Sequence, residues 1–384
     1  MNLVLTVAAV VVGLPGAAAA LHLGLLATAS VFYRSPRPTG AIAPVRFIVL
    51  IPAYNEEKVI GDTLRAVTSD MRDRDQLVVV ADRCTDATAA IARAAGAQVL
   101  ERGEHEEPGR AAARQAGVEY AAGLDWDAMV MIDADSIIEP GFFDECERAM
   151  AGGAEALQAR SEAALGQGLL EQAALASFAL QGVLMPRGRG RLGLLVRLRG
   201  TGMVISRRIL SEFEFRARAS EDLWYSLDLC LAGIRPVHVE KARLRSLNVA
   251  SWEAGAEQRV RYETGRMSAA QEFAGPLLRK HDAASLEAAW FLLTPPYAVA
   301  VFSVVVAGLL SLAAGATVLA WTALAFFAML AAVLVIALIE AGAGVRTWLG
   351  LVIAPFYVPW KAFIQVRAFM KLRRKSEVFG ATPR

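Results

Sequence analysis

Two aspartates two residues apart, Asp133 and Asp135, follow directly on the apolar run Ala128-Met129-Val130-Met131-Ile132. A short run rich in Val, Ile and Met that ends in polar residues reads as a buried parallel strand. In open α/β sheets the carboxyl ends of such strands are where ligands bind. Two carboxylates placed there can share a divalent cation. A cation held by so few protein ligands keeps coordination positions open for a diphosphate. Two further Asp-x-Asp pairs, Asp73-Arg74-Asp75 and Asp125-Trp126-Asp127, precede apolar runs instead of following them. They read as turn residues.

The surrounding chain supplies the elements that would position these carboxylates. Residues 47–51 form a first strand, ending at Pro52-Ala53-Tyr54-Asn55-Glu56-Glu57, and a helix runs through Leu64 and Val67. Residues 77–80 form a second strand ending at Asp82, followed by a helix over 86–95. A short strand at Val99-Leu100 and an Ala-rich helix over 109–122 lead into the central strand. This β-α-β-α order predicts an α/β fold, a mostly parallel sheet with helices on both faces. Asn55, Glu56, Asp82, Asp133 and Asp135 would then gather along one sheet edge. No Gly-x-Gly-x-x-Gly follows the first strand and no P-loop sequence occurs, which argues against dinucleotide and P-loop chemistry.

Composition adds a membrane. Hydrophobic residues make up 55% of the 384 residues, and the mean hydropathy of +0.39 is high for a soluble chain. The excess is localised. Residues 1–33 carry no formal charge and suit an uncleaved anchor, since the basic start of a signal peptide is missing. Arg34 and Arg37 follow it and place the next domain in the cytoplasm by the positive-inside rule. Residues 34–45, with Pro36, Pro38 and Gly40, read as a linker, and 46–275 as a cytoplasmic domain. Residues 288–339 hold no charge and are long enough for two membrane helices within 286–340, with Gly315 and Thr317 at the turn. The segment 347–375 is apolar but broken by Pro355 and Pro359 and ends in Lys371, Arg373, Arg374 and Lys375. It reads as interfacial or re-entrant, leaving 376–384 as a cytoplasmic tail. The net charge of +2 argues against nucleic acid. Cys84, Cys146 and Cys230 are scattered without metal-ligand spacing and suggest a reducing compartment.

Between these parts, residues 169–185 suit an amphipathic helix. The stretch 186–202 sets Arg187, Arg189, Arg191, Arg197 and Arg199 among glycines and leucines. It reads either as a solvated basic loop or as a surface for diphosphates or lipid headgroups. Residues 201–205 return to the sheet. Ser220-Glu221-Asp222 opens an apolar helix over 223–231, where an acid serves either chemistry or as a cap.

With these pieces in order the chain resembles the family 2 glycosyltransferases, most of all their membrane-bound bacterial exopolysaccharide branch. The residues that carry the resemblance are Pro52-Ala53-Tyr54-Asn55-Glu56-Glu57, Ala81-Asp82-Arg83-Cys84-Thr85-Asp86, Asp133-Ala134-Asp135, Gly200-Thr201-Gly202, Ser220-Glu221-Asp222 and Gln258-Arg259-Val260-Arg261-Tyr262. The resemblance implies a GT-A fold and inverting transfer from a nucleotide-sugar, a UDP-sugar first among them, with Mg2+ or Mn2+. Asp82 would contact the nucleotide base, Asp133 the ribose and phosphate, and Asp135 the metal. Asp222 would be the general base. Pro52, Tyr54, Glu56, Gln258, Arg261 and Tyr262 would line the donor site, and Gly200, Thr201, Gly202 and Glu221 the acceptor side. Two departures stand out. Tyr262 replaces the Trp of the family's Gln-x-x-Arg-Trp motif, and Gly109-Arg110 stands where members often carry Gly-Lys.

The chemistry holds together without the family. A carboxylate makes an acceptor hydroxyl more nucleophilic. A metal and an arginine neutralise a departing diphosphate. The implied setting is the bacterial inner membrane, with a lipid-linked or growing glycan acceptor. Two alternatives are a processive polysaccharide synthase and a non-catalytic nucleotide-binding membrane protein.

Overall fold

The computed structural model describes residues 2–36, 42–163, 169–216, 218–246 and 252–373. Arg37, Pro38 and Gly40 of the expected linker, Arg374, Lys375 and the tail 376–384 lie outside the described residues. Helix α1 (Leu3–Val31) is followed by β1 (Phe47–Ala53), α2 (Ile60–Asp70), β2 (Gln76–Asp82), α3 (Thr88–Ala94), β3 (Gln98–Arg102), α4 (Arg110–Ala121) and β4 (Ala128–Met131). Next come β5 (Ser136–Ile138), α5 (Phe142–Ala151), β6 (Ala156–Ala163), α6 (Leu169–Phe178), a π-helical segment (Ala179–Leu184) and α7 (Met185–Arg191). After them run β7 (Met203–Ser206), α8 (Arg207–Glu212), α9 (Glu221–Leu231) and β8 (Val237–Ser246). The remainder is helical: α10 (Trp252–Lys280), α11 (Ala283–Leu293), α12 (Tyr297–Ala313), α13 (Thr317–Glu340), α14 (Val345–Gly350), a 3₁₀ turn (Leu351–Ile353) and α15 (Ala354–Arg373). These elements form two units. Among the described residues, a sheet unit is drawn from Arg34–Ala164 and Gly193–Asn248, and a helical unit from Met1–Tyr33, Leu165–Leu192 and Val249–Ser376. Residues 169–192 and 252–275 belong to the helical unit.

In the sheet unit eight strands run in the order β3-β2-β1-β4-β7-β6-β8-β5. The pairings among β3, β2, β1 and β4 are parallel, as is β6 with β8. β4–β7, β7–β6 and β8–β5 are antiparallel. The mixed sheet carries helices on both faces, and the alternation of side chains along each strand explains how. Phe47, Val49 and Ile51 of β1 pack with Leu64 of α2, Ala92 of α3 and Phe143 of α5. Ile48 and Leu50 pack on the other face with Ala113 of α4, Ile209 of α8 and Leu229 of α9. Strands buried on both faces must read as continuous apolar runs, which is why β1, β2 and β4 are legible in the sequence. The two early Asp-x-Asp pairs do behave as structural turns. Asp75 accepts from the Phe47 amide (3.0 Å), and Asp127 accepts from Arg46 at its amide (2.9 Å) and guanidinium (3.0 Å).

In the helical unit, α1, α12 and α13 pack closely through small residues. A Cβ on Gly16 would lie 2.3 Å from Ser303 Oγ and 2.7 Å from the Ala300 carbonyl, so only glycine admits this approach. α11 and α12 meet at a 64° bend at the Pro295-Pro296 break, a geometry that the sequence-based count of two straight helices does not contain. Among the described residues three helical stretches, Leu3–Val31, Thr317–Glu340 and Val345–Met370, are long and apolar enough to cross a membrane, four if the bent pair is one span. The Arg-rich stretch is also not a solvated loop over its first half. Arg187 and Arg189 sit on α7, where Arg189 is 2% exposed and pairs with Glu287 (2.8 Å). Glu287 also meets His22 (3.0 Å), and Arg187 lies 3.7 Å from Glu340. Burial without water favours satisfying these cations with carboxylates.

Candidate active site

The register of the parallel strands brings three loops to one edge of the sheet unit. Ile51 pairs with Val79, Leu50 with Met131, and Asp82 with Arg102, so residues 53–57, 82–88 and 132–136 emerge side by side. The first two loops interlock. Asn55 Oδ1 accepts from the Thr85 amide (2.8 Å), Thr88 Oγ1 from the Glu56 amide (2.8 Å), and Asp86 Oδ2 from the Glu57 amide (3.1 Å). Asp82 is 4% exposed and accepts from Arg102 (2.8 Å) and Arg83 (3.3 Å). The Arg83 guanidinium in turn lies 5.6 Å over the ring of Tyr54, which is 45% exposed. Pro52 closes β1 and is partly buried.

The third loop is clamped from three sides. Thr63 Oγ1 donates to the Ala134 carbonyl (2.8 Å), the Asp133 amide donates to Thr201 Oγ1 (3.1 Å), and Thr201 Oγ1 donates to Ser136 Oγ (3.1 Å). Ser136 Oγ lies 2.9 Å from Ser246 Oγ across the β5–β8 pair. Asp135 is 9% exposed, and Ser136 Oγ is 3.4 Å from its Oδ1. Asp133 is flanked by two guanidinium groups, Arg110 and Arg114, each at 3.2 Å.

Arg114 organises the remaining side of the site. Its side chain is fully buried, and its guanidinium donates to Glu221 (2.6 Å), to the Gly200 carbonyl (2.6 Å) and to Asp133. Gly200 has φ +80°, and a Cβ there would lie 3.3 Å from Arg114 Nη2, 3.4 Å from Asp222 Oδ2 and 3.6 Å from Arg110 Nη1. Asp222, Arg110 and Arg114 therefore converge on one backbone position. Burial and the neighbouring Glu221 charge push the Asp222 carboxyl up to about 6, against the pull of Arg114. Asp222 Oδ1 also accepts from the Leu223 amide (2.9 Å), so the residue caps α9 as well. Ser220, at the N-cap position of α9, makes no capping hydrogen bond with its side chain. It adopts φ +60°, and its hydroxyl has no partner among the described residues. Gly202 has φ +68°, with its amide on the Met131 carbonyl (2.8 Å) and its carbonyl on the Ala159 amide (2.8 Å).

Among the described residues, four non-glycine residues have positive φ, and three of them, Asn55, Arg83 and Ser220, lie in this site. Backbone held in a sparsely populated region costs about 1–3 kcal/mol and tends to cluster where geometry serves function. The structure thus gathers Pro52, Tyr54, Glu56, Asp82, Asp133, Asp135, Gly200, Thr201, Gly202, Glu221 and Asp222 in the sheet unit. Gln258, Arg261 and Tyr262 lie on α10 of the helical unit, where Arg261 sits 5.7 Å over the Tyr262 ring and Gln258 Nε2 is 3.5 Å from Tyr262 Oη.

The central strand and its motif order decide the family. A family model described as "Glycosyltransferase like family 2" matches residues 44–265, more than half of the chain. The chain belongs to the family-2-like glycosyltransferases. No curated protein matches it in sequence. Among solved structures it is similar to the mannosyltransferase PcManGT from Pyrobaculum calidifontis in complex with GDP-Man and Mn2+. That match has a TM-score of 0.61 at 16% identity and covers 96% of this chain and 100% of the other. It is also similar to glucosyl-3-phosphoglycerate synthase from Mycobacterium tuberculosis in complex with Mn2+, UDP and phosphoglyceric acid. There the TM-score is 0.44 at 22% identity, covering 61% of this chain and 84% of that one. A further structure of that synthase holds Mg2+ and UDP. The GT-A-like fold expected from the sequence is therefore the fold this glycosyltransferase has.

Two features escape sequence reasoning. Arg114 is one, although a signal existed: Arg110 and Arg114 stand at i and i+4 in an Ala-rich helix and so share its face. The other is Gln158, buried on β6, whose side chain accepts from the Arg199 amide (2.8 Å) and donates to the Thr201 carbonyl (2.9 Å). It fixes the Gly200-Thr201-Gly202 turn, but a lone Gln in a strand carries no mark of such a task.

The carboxylate set suits a divalent cation. Among the described residues no three His, Cys, Asp or Glu side chains form a metal-binding group. Mg2+ is usually held by one or two carboxylates together with substrate phosphates and water. Asp135, with Asp133 two residues before it, offers that set.

Proposed function

We propose that this glycosyltransferase moves a sugar from a nucleotide-sugar to an acceptor hydroxyl with inversion, using Asp222 as general base. The observation that supports this reading best is the meeting of Asp222 with Arg110 and Arg114 around Gly200, beside the strand-end carboxylates. Asp135 and Asp133 would hold Mg2+ or Mn2+, which neutralises charge on a departing diphosphate when bound. Arg110, at the mouth of the site and 38% exposed in its side chain, adds a second cation toward that charge. Tyr54 and the Asp82–Arg102 pair would receive the nucleoside, and the Gly200–Gly202 turn and Glu221 would shape the acceptor side. Gln258, Arg261 and Tyr262 are proposed as further donor-binding residues, as the sequence resemblance implies. A UDP-sugar is the donor first suggested by the sequence.

An acceptor that is lipid-linked, or a growing exopolysaccharide at the cytoplasmic face of the inner membrane, fits a chain with three to four helices long enough to span. With so few spans, single or limited addition suits the chain better than secretion of a polymer through its own channel.

The test is Asp222→Asn, which keeps shape and capping capacity but cannot take a proton. Turnover should fall by about 10²–10⁴ while donor affinity stays within about threefold of wild type, a loss of well under 1 kcal/mol. Both are measured on the purified full chain against a panel of nucleotide-sugars. Unchanged turnover would remove Asp222 from the mechanism. Donor binding without turnover in the wild type would favour the non-catalytic reading.

A further inference from the structure

Within the helical unit, α10 packs against α15 through Ala256 and Val260 on one side and Ile364 and Ala368 on the other, with Trp360 beside them. Two cations meet at this seam. Arg259 of α10 donates from Nη2 to Tyr357 Oη (3.0 Å), and its guanidinium lies 5.1 Å over Trp360 and 5.7 Å over Tyr357. Lys361 of α15 lies 4.9 Å over the same Tyr357 ring and donates from Nζ to Ser177 Oγ of α6 (2.6 Å). Among the described residues neither cation has a carboxylate within ion-pair distance. Glu263, one turn along α10 from Arg259, is turned to Arg266 (3.0 Å). This differs from Arg187 and Arg189 of the same unit, each set against a glutamate.

Like charges converging on one phenol raise each other's energy unless an anion lies between them. Aromatic faces offset only part of this. Arg259, Lys361, Trp360 and Ser177 are partly exposed around the buried Tyr357. The flank of the same helix is apolar and open: Phe356 is 80% exposed, Phe363 58% and Val366 53%. Such a helix has one face for hydrocarbon and a basic, aromatic seam for a headgroup, and aromatic and basic residues of this kind favour the membrane–water interface. Guanidinium, ammonium and hydroxyl donors suit phosphate oxygens.

We infer that Arg259, Lys361, Tyr357 and Ser177 form a binding site for the phosphate of a lipid, whose chain lies along the exposed apolar face of α15. This goes beyond the transfer reaction and is tested without donor or turnover, so its failure leaves the reading of Asp222 untouched.

The experiment uses the purified, immobilised full chain in a neutral detergent and radiolabelled dodecyl phosphate as probe. Saturable binding is expected. Arg259→Gln and Lys361→Gln should each weaken it by at least about tenfold, the effect of losing one charge-assisted contact, while R259K and K361R stay close to wild type. Thermal midpoints are measured alongside. If either glutamine variant unfolds, Tyr357→Phe takes its place, with a several-fold loss expected. A hundredfold excess of dodecanol or of inorganic phosphate should not displace the probe. Displacement by inorganic phosphate would make this a free-anion site and overturn the lipid assignment. Displacement by dodecanol would reduce it to an apolar groove. Absent binding, or variants that bind like wild type, would overturn the site altogether.

Discussion

At the scale of single residues, the site depends on how one buried guanidinium is shared. Arg114 serves Asp133, Glu221 and the Gly200 carbonyl at once, and it also pulls the pKa of Asp222 down against burial and Glu221. We class it as a positioning residue. Arg114→Met should destabilise the protein by about 3 kcal/mol, the low end for breaking a buried pair, because Asp133 keeps Arg110. A denaturant titration reads this. The same variant has a second signature. In its proposed role Asp222 accepts a proton only when ionised, and with its pKa pushed up to about 6 transfer should rise as pH climbs through that value and level off above it. Removing Arg114 removes a lowering influence, so the rising limb should move to higher pH. An unmoved limb would reduce Arg114 to a packing role. Stability responds to pH in the opposite direction. A raised carboxyl favours the fold fully below its unfolded value, near 3.8, and that benefit is lost as pH rises toward 6. Asp222→Asn should therefore lack the decline between those values. Asp133, Asp135 and Asp222 were readable in the sequence because each sits at an element boundary with a recognisable flank. Arg114 was not, because its partners lie 19, 86 and 107 positions away.

At the scale of elements, the turn before β7 is where backbone shape matters most. Gly202 has φ +68°, and a Cβ there would meet Leu244 Cδ2 at 2.3 Å and Ala159 Cβ at 3.0 Å. Gly193 has a similar φ of +65°, with nothing within 4 Å. Both Gly→Ala changes pay the left-handed penalty of about 1–2 kcal/mol. Only Gly202→Ala adds overpacking, about 1–3 kcal/mol, and it should also depress turnover by shifting Thr201 off the Asp133 amide. Thermal midpoints of the two variants, compared directly, separate the terms; equal midpoints would refute the packing argument. The parallel half of the sheet was legible in the sequence since β1, β2 and β4 are buried on both faces. The antiparallel half was less so. β7 has four residues, and β8 alternates buried with exposed positions over a stretch rich in Arg and Lys. The Pro295-Pro296 bend was likewise hidden inside an uncharged run, where hydropathy alone does not mark a change of direction.

At the scale of the whole molecule, the ends of the helical unit sort by chemistry. The Asn2 amide meets the Ala314 carbonyl (3.3 Å), so the start of α1 and the α12–α13 turn share one end. Ser30, near the end of α1, meets Glu340 at the end of α13 (2.9 Å), which defines the opposite end. Arg34 follows the second end and favours the cytoplasm. In a cysteine-free background, T317C should react with an impermeant maleimide in intact cells, whereas cysteines at 100 and 380 should not. Labelling at 100 or 380 would reverse the topology. The packing of α1 also sets a timetable for synthesis. Its glycine contacts, Gly16 with Ala300 and Ser303, join segments at least 284 positions apart (300 − 16), more than the length of the sheet unit. At about 5–20 residues per second, the ribosome needs on the order of 15–50 s to reach them after α1 emerges. For that interval the close-packing surface of α1 is bare. An orphaned nascent helix with exposed glycines is open to lipid, to a holding factor or to a neighbouring copy, so the yield of folded enzyme becomes a matter of translation speed.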